Sequence, residues 1–304
     1  MTKMFFKPWN PSQESANMVT LANDIIEEYE TQGYQLTLRQ LYYQFVARDI
    51  IENSERSYKN LGTLITKGRM SGQISWTAIE DRNREHHSFW FEEDDSNVVS
   101  ELYRYIRFDQ WDRQPVYMEV WVEKEALGNV VSRACSPYLV PYMSCKGYLS
   151  ASEAWRAGQR FAKNLALGKH CVLIHLGDHD PSGIDMTRDN EDRVSLFSGF
   201  EGVDGAKVEV VRIALNRDQI DEFHPPPNPA KVTDSRAKEY IKKHGHTSWE
   251  LDALNPKTLN NLIQNEIRTY IDYDIWDSVR EEEKSVERRL LALAEKWPEI
   301  RSSL

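Results

Sequence analysis

The sequence predicts an α/β protein in which a small helical domain precedes a mostly parallel β-sheet, with further helices behind it. Two observations lead to this fold class. Between residues 116 and 215, four apolar segments of strand length alternate with segments of helical periodicity, which is typical of a parallel sheet with helices on both faces. Before them, residues 16–70 contain three successive helical patterns. The 304 residues suffice for two ordinary domains, and we divide them into zones at 1–95, 96–215 and 216–304.

The first zone has the element order of a winged helix-turn-helix domain, a fold that binds DNA. Thr37 is a suitable N-cap for the second of its three helices, and Gly33 lies where the first helix should end. The segment QISWTAI alternates polar and apolar residues as a strand does. The predicted helices span residues 16–29, 38–49 and 57–70, and the predicted strand spans 73–79.

The third predicted helix is basic, although the whole chain carries a net charge of −10. That charge argues against a protein that coats DNA, but local charge determines where a nucleic acid binds. Residues 56–79 contain no acidic residue. The third helix of a winged helix-turn-helix domain enters a groove of the duplex, so we expect Lys59, Lys67 and Arg69 to bind DNA.

The second zone follows an acidic run at residues 92–95 and alternates strands with helices. Its segments VYMEVWVE and HCVLIHLGD are apolar enough for strands that are buried on both faces. This alternation predicts a mostly parallel sheet. The predicted strands span residues 116–123, 138–143, 170–178 and 208–215, and the predicted helices span 124–135, 150–166 and a segment from about 182 onward.

The third zone opens with HPPPNPAK (224–231), whose prolines exclude a helix and favour an extended chain. This segment either lies across the active edge of the sheet and supplies Lys231 or Arg236 to DNA, or is an ordinary linker. Glu250 and Asp252 either supply ligands for a second metal ion or begin a solvated helix. Helices are predicted near residues 234–243, 256–272 and 276–297.

Three carboxylates follow two of the predicted strands. Glu123 ends the first strand, and Asp178 and Asp180 end the third. The carboxyl ends of parallel strands share one edge of a sheet, and side chains at i and i+2 of an extended chain point the same way. If the two strands are neighbours, the three carboxylates converge. Hard oxygen ligands suit Mg²⁺ or Mn²⁺ rather than Zn²⁺, so we expect a metal site here, with a solvated loop as the alternative.

Three motifs in the second zone resemble the Toprim domain of the type IIB topoisomerase (topoisomerase VI) A subunit and of the meiotic break-forming transesterase. They are VEKEAL (122–127), KGYLS (146–150) and GDHDPSG (177–183). In that family a Glu follows the first strand, a Lys-Gly-aromatic segment the second, and a DxDP-x-G motif the third. The resemblance covers roughly residues 35–215. It implies a Rossmann-like sheet and Mg²⁺ bound by Glu123, Asp178 and Asp180 at a scissile phosphate.

The same family carries a winged helix before its Toprim domain, and the second helix of that domain holds a nucleophile in an Arg-x-aliphatic-aromatic-Tyr motif. This chain has Arg39-Gln40-Leu41-Tyr42-Tyr43 at the corresponding place. The resemblance implies that Tyr43 attacks phosphorus to form a covalent phosphotyrosine and that Arg39 supports the phosphate. The alternative is that both tyrosines are core aromatics. Lys124 and Lys146, behind the first two strands, either contact a phosphate or are solvated.

Metal-dependent DNA strand cleavage is therefore the predicted activity. Its first form is a topoisomerase VI A-like transesterase with Tyr43 as the nucleophile, and its second is a hydrolytic Toprim nuclease in which water attacks. A non-catalytic DNA-binding regulator or assembly factor is a third interpretation, against which the three clustered carboxylates argue. A phosphatase of the haloacid-dehalogenase type fits worst, because its nucleophilic Asp would follow the first strand.

Expected partners and location follow from the same features. Family members act as dimers, so the resemblance suggests a homodimer. The sequence has no P-loop motif, so ATP-driven strand passage would need a separate ATPase partner. No apolar run is long enough to span a bilayer, and we find no secretory signal. Three scattered cysteines suit a reducing cytoplasm, where we expect the protein at the nucleoid. The small size would suit a phage, mobile-element or defence gene.

Overall fold

Three α-helices form the first zone of the chain, in the order that the sequence predicts. The computed structural model describes residues 3–80, 98–99, 101–103, 106–199, 208–229, 234 and 236–303. Within the first zone its elements are α1 (Gln13–Thr31), β1 (Leu36–Thr37), α2 (Leu38–Ala47), α3 (Glu55–Met70) and β2 (Ile79–Glu80). Ser12, Thr37 and Ser54 cap the three helices, each by accepting a backbone N–H. The three predicted helices are confirmed.

The strand predicted over residues 73–79 is wrong, because most of this segment forms turns. Only β2 is extended, and it pairs in parallel with β1. Ile74 is fully buried against Gly68, where an added Cβ would lie 2.6 Å from the Ile74 side chain. Arg69 donates a hydrogen bond to the Ile79 carbonyl at 2.6 Å. The alternation in the sequence therefore records burial within a turn, whose Trp76 carbonyl accepts a hydrogen bond from the Arg69 side chain at 3.2 Å.

Four parallel strands form the central sheet, which confirms the predicted sheet type. They are β3 (Val116–Val122), β4 (Tyr142–Ser144), β5 (His170–Leu176) and β6 (Val208–Ala214), in the order β4-β3-β5-β6. The strand predicted over 138–143 begins later, because residues 136–138 form a 3₁₀ turn. Pro137 and Pro141 lack the N–H that a strand residue donates. β3 and β5 pair along their full length, so the residues that follow them are neighbours.

Helices cover both faces of the sheet, as the sequence predicts. The helices after β3 are α4 (Gly128–Cys135), α5 (Ala151–Ala166), α6 (Pro181–Phe197), α7 (Arg217–Phe223), α8 (Ala237–His244), α9 (Pro256–Thr269) and α10 (Tyr273–Ser303). α4 and α9 share one apolar core with Met118 and Val120. α5 and α6 share a second core, on the other face, with Trp121 and Leu173. A third core holds α1, α2 and α3 together.

The third zone wraps back over the carboxyl edge of the sheet. Part of the Pro-rich segment forms β7 (Asn228–Pro229), which pairs antiparallel with β8 (Thr247–Ser248). The next residue, Trp249, exchanges two backbone hydrogen bonds with His179, between the two aspartates. The three helices predicted for this zone are confirmed as α8, α9 and α10. Within the described residues, no helix combines the length and the apolarity needed to cross a membrane.

Candidate active site

Two of the three predicted carboxylates meet at the carboxyl edge of the sheet. Glu123 directly follows β3, and Asp178 follows the neighbouring β5 after one glycine. The Asp178 N–H donates to Glu123 Oε2 at 2.9 Å. Burial raises the pKa of Glu123, and the charge of Asp180 raises it further. The strand adjacency that the sequence required for convergence is therefore present.

The loop of residues 177–183 is closed tightly over the sheet edge. Asp180 is the N-cap of α6: its Oδ1 accepts hydrogen bonds from the Gly183 N–H at 2.6 Å and from the Ser182 hydroxyl at 2.9 Å. A Cβ at Gly183 would lie 2.3 Å from the Asp178 carbonyl oxygen, so only glycine fits there. Asp180 therefore keeps one oxygen for its helix and leaves Oδ2 without a hydrogen bond from any described residue.

Arg212, on the edge strand β6, holds this loop in place. Its Nη2 donates to the carbonyls of Gly177 and Asp178 at 2.9 and 2.7 Å, and its Nη1 donates to the Gly183 carbonyl at 2.9 Å. Burial lowers the pKa of Arg212 to about 10, so it stays charged at neutral pH. This residue was not among the predicted site residues. Its signal was an Arg in a strand that is apolar apart from Glu209, where a buried charge requires partners.

Lys124 is the central cation of the site. Its Nζ lies 3.0 Å from Asp178 Oδ2, 2.6 Å from Glu250 Oε2 and 2.8 Å from Asp252 Oδ1. Burial alone would lower the pKa of Lys124, but Asp252, Asp178 and Glu250 outweigh it and raise the pKa. Asp178 also accepts the Leu251 N–H, at 2.8 Å. Both oxygens of Asp178 are thus engaged by the protein itself.

The 3₁₀ turn Leu251–Ala253 brings two carboxylates of the third zone into the site. Glu250, just before the turn, contacts both Arg39 and Lys124. Asp252 is fully buried and lies 3.0 Å from Arg39 Nε. Burial would raise the pKa of Glu250, but Lys124 and Arg39 hold it at about 2. These acids bind cations within a buried turn, so the predicted solvated helix start is wrong.

Tyr43 lies beside this group of charges. Its side chain is 4% exposed, and its hydroxyl accepts a hydrogen bond from Arg39 Nη2 at 3.3 Å. Burial raises the pKa of Tyr43, and the charges of Asp252 and Glu250 raise it further. Arg39 also lies over the Tyr43 ring, 5.7 Å from its centroid. The nucleophile that the resemblance implies therefore adjoins the sheet edge, although in this state its phenol strongly retains its proton.

One open cleft of about 540 Å³ is lined by four of these groups, Arg39, Tyr43, Asp180 and Glu250. All three zones line it, and each contributes polar side chains. The lining residues are Arg39, Tyr42, Tyr43, Asn53, Ser54, Glu55 and Tyr58 from the first zone, Asp180 from the second, and Asn228, Pro229, Ser248, Trp249 and Glu250 from the third. The segment around Asn228 borders the active edge, as one of the two interpretations of the Pro-rich segment expects.

The donor set fits a small divalent cation. The described residues contain no preformed group of three or more His, Cys, Asp or Glu side chains that could hold a metal ion. Mg²⁺, however, usually takes one or two carboxylates and completes its shell with water and phosphate. Glu123 Oε1 and Asp180 Oδ2 accept no hydrogen bond from the described residues. By formal charge the site has an excess of two negative charges, which the raised pKa values of Glu123 and Asp178 reduce when no cation is bound. The groups counted are the five carboxylates Glu123, Asp178, Asp180, Glu250 and Asp252 and the three cations Arg39, Lys124 and Arg212.

The basic residues of the third helix lie at different distances from the cleft. The cleft touches the start of α3, while Lys67 and Arg69 lie at its other end, about 15–20 Å away at 1.5 Å per residue. Lys67 is exposed, and Arg69 donates to backbone carbonyls of the turn that follows the helix. Lys59 is exposed and pairs with Glu55 at 2.7 Å.

The other predicted DNA-binding residues also have protein partners where the structure describes them. Lys146 is largely exposed and pairs with Glu125 at 2.7 Å. Arg236 pairs with Asp234 at 2.8 Å and with Asp185 at 3.2 Å, and it contacts the Tyr148 hydroxyl. Lys231 lies outside the described residues, so its predicted role stays a prediction.

A scan of the chain against protein-family models gives no match, and a search of curated proteins gives no significant relative.

Proposed function

We propose that the chain cleaves DNA strands in a metal-dependent reaction, with Tyr43 as the nucleophile. One observation supports this proposal above the others. A tyrosine, an arginine and a carboxylate of the sheet edge line one cleft: Tyr43, Arg39 and Asp180. These are the groups that phosphoryl transfer to a tyrosine needs, namely an acceptor, a cation for the phosphate and a ligand for a metal ion. The resemblance of the three motifs to a Toprim domain, behind a winged helix, points the same way.

In the proposed reaction the Tyr43 oxygen bonds to phosphorus while the bond from phosphorus to one sugar oxygen breaks. The phenolic proton is lost and a proton is gained by the sugar oxygen, so one phosphoester replaces another. Arg39, which already contacts the Tyr43 hydroxyl, would bind a non-bridging phosphate oxygen beside it. A bound divalent cation, held by Glu123 and Asp180, would neutralise the phosphate and polarise its P–O bonds.

Arg212 and Lys124 prepare this site without touching the substrate. Arg212 fixes the loop that carries Asp180, because its guanidinium spans both ends of that loop. The Lys124 ammonium group contacts one oxygen each of Asp178, Glu250 and Asp252. The loop geometry and the charge of the sheet edge are thereby set before DNA arrives, as preorganised catalytic sites require.

Hydrolysis by water is the second candidate, and the state of Tyr43 favours it. Burial, Asp252 and Glu250 all raise the pKa of this phenol. A water molecule at a metal ion needs no phenolate, and its pKa falls when a cation binds it. In that reaction Tyr43 would serve only to pack and to orient Arg39.

Cleavage of supercoiled plasmid by the full chain with Mg²⁺ or Mn²⁺, quenched in SDS and analysed with and without protease, separates the candidates. Tyr43→Phe removes the proposed nucleophile. Tyr42→Phe is the matched control, because Tyr42 lines the same cleft and its hydroxyl donates to the Asn53 side chain and the Ser54 carbonyl, both in the first zone. Asp180→Asn removes a metal ligand but keeps a good N-cap for α6.

Breaks with attached protein, lost in Tyr43→Phe and Asp180→Asn but kept in Tyr42→Phe, are the expected result. Protein-free breaks that survive in Tyr43→Phe and disappear in Asp180→Asn would establish the hydrolase instead. No cleavage by the unaltered chain with either metal would refute catalysis by this chain alone and leave the DNA-binding interpretation.

A further inference from the structure

The N-terminal segment of residues 3–7 is pinned across the end of α3, far from the cleft. The N–H groups of Phe6 and Lys7 both donate to the Met70 carbonyl, at 2.8 and 2.9 Å. Phe5 forms an antiparallel bridge with Ser71. Gly72 follows with φ +72°, and a Cβ there would lie 3.4 Å from the backbone of the segment. The turn after α3 is thus built so that this segment can lie against it.

This pinned segment presents aromatic rings to solvent. Phe5 is 67% exposed and Phe6 is 55% exposed. Trp76, in the turn after α3, is also exposed, and its ring centroid lies 5.5 Å from that of Phe6 in an edge-to-face arrangement. Trp76 is held in place by its indole N–H, which donates to the Met4 carbonyl, and by Arg69 over its ring. Rings that are fixed but uncovered form a patch of the kind that serves binding rather than folding.

The charge around the patch is positive, in a chain whose net charge is −10. Residues 3–13 and 56–79, which meet at the patch, contain no Asp or Glu. The basic residues nearest the patch are Lys3, Lys7, Lys67 and Arg69, whereas Arg56 and Lys59 lie at the other end of α3. These two contacting segments lack acidic residues although the whole protein is acidic, so the surface where they meet is suited to binding a polyanion.

We infer that Phe5, Phe6 and Trp76 form a binding surface for the unpaired bases of a DNA strand, with Lys3 and Lys7 beside its phosphates. Lysines alone would suffice to bind a duplex, because its phosphates face outward while its bases are stacked inside. Exposed rings gain a contact only where bases are unstacked and show their faces. The combination of rings and cations therefore selects single-stranded DNA, or duplex with an unpaired stretch.

The inference rests on the proposed function for its choice of DNA, and it adds a substrate class to it. α3 is about 24 Å long at 1.5 Å per residue, with the cleft at its first turn and the patch at its last. A strand bound at the patch would run along this helix toward Tyr43. The preferred substrate is then DNA that is unpaired near the point of cleavage.

Binding is best measured by fluorescence anisotropy in EDTA, so that no cleavage occurs, with a labelled thymidine oligonucleotide and a mixed-sequence duplex of equal length. The test variant is Phe5→Ala/Phe6→Ala in the full chain. Trp155→Ala is the matched control, because Trp155 is 53% exposed but lies on α5. We expect the double variant to bind the oligonucleotide about tenfold more weakly or worse, since each base–aromatic stack contributes that order of affinity. Duplex binding, and both affinities of Trp155→Ala, should change less than about twofold.

Equal loss on both DNAs, no loss at all, or failure of the unaltered chain to bind the oligonucleotide would each overturn the inference. Sedimentation tests the rival occupant: a double variant that dissociates from dimer to monomer would show that a second copy covers the patch. Thermal melting confirms that the variant folds, which its exposed positions favour. Normal oligonucleotide binding by the double variant, beside active plasmid cleavage, would refute only this inference. Selective loss in a chain that never cleaves plasmid would refute only the proposed function.

Discussion

Lys124→Met tests whether the site is held together by one shared cation. The Lys124 side chain is 17% exposed, and its Nζ lies within 3.0 Å of oxygens from Asp178, Glu250 and Asp252. Methionine has a similar length and stays apolar, so it fills the space without the charge. The substitution leaves three carboxylates facing one another beneath the cleft.

The cost follows from the burial of the partners. Removing one member of a buried ion pair typically costs about 3–5 kcal/mol, because the other charge stays buried without compensation. Two features reduce this cost: Arg39 still pairs with Glu250 and Asp252, and burial raises the pKa of Asp178, which can therefore take up a proton. We expect the lower end, about 3 kcal/mol at neutral pH. For a chain of this size that is a fall in Tm of about 5 °C.

Urea unfolding followed by circular dichroism measures the loss directly. Lys146→Met is the matched control, because Lys146 pairs with Glu125 at the surface, where an ion pair contributes about 0–1 kcal/mol. Asp252→Asn removes one of the three acids, so the double variant Lys124→Met/Asp252→Asn should show a coupling of at least about 1 kcal/mol relative to the single changes. A loss below about 1 kcal/mol in Lys124→Met, or one equal to that in Lys146→Met, would refute the shared-cation reasoning.

Three further changes test the frame of the site. Arg212→Lys removes the planar fork that binds both ends of the 177–183 loop, and it should cost about 2–3 kcal/mol and speed amide exchange in that loop. Gly183→Ala places a Cβ 2.3 Å from the Asp178 carbonyl oxygen and should cost about 1–3 kcal/mol of unfolding free energy. Gly128→Ala is the control and should not destabilise the chain, because its Cβ would meet only the Ser144 hydroxyl, at 3.5 Å. Burial lowers the pKa of His175 to about 3, so the contribution of the neutral imidazole to stability is present above the unfolded pKa of about 6.5 and is lost as the pH falls toward 3. The difference in unfolding free energy between wild type and His175→Asn should therefore shrink by about 1.4 kcal/mol per pH unit from about pH 6 downward. A difference that stays constant over this range would contradict the reasoning.

The layout of the sheet could be predicted because it is written in local patterns. Apolar segments of strand length, separated by helical periodicity, define β3 and β5 and place Glu123 and Asp178 at their ends. That β3 and β5 are neighbours is not contained in these patterns, because β4 lies between them in the chain and takes the edge position in the order β4-β3-β5-β6. The starts of helices could be predicted for the same reason, because they depend on residues close together in the chain. Thr37 caps α2 because its side chain accepts a hydrogen bond from the backbone N–H three residues later.

The rest of the site depends on contacts between distant parts of the chain, which no local pattern records. Glu250 reaches Lys124 across 126 positions and Arg39 across 211. Its neighbourhood in the sequence resembles any acidic helix start. The strand prediction for residues 73–79 was wrong for a related reason. Alternation in the sequence reports which side chains are buried, and a turn that is held by Arg69 produces the same alternation as a paired strand.

The charge balance gives the Lys124 prediction a second arm that involves the metal ion. By formal charge, five carboxylates against three cations leave two excess negative charges, which one divalent cation would balance, and its binding would favour the ionised forms of Glu123 and Asp178, whose pKa values burial raises. Without Lys124 the formal excess becomes three. Mn²⁺ should therefore raise the Tm of the unaltered chain, and raise that of Lys124→Met more, since a ligand that binds the folded state more tightly stabilises it more. Asp180→Asn should abolish the shift in both backgrounds, because the proposed site loses a carboxylate ligand whose charge acts on Glu123, while Asn keeps the capping role. An Mn²⁺ shift that Asp180→Asn leaves intact would place the ion elsewhere. No shift in any background would mean that Lys124 and Arg212 alone neutralise the edge of the sheet, and that phosphate would have to bind there without a metal ion.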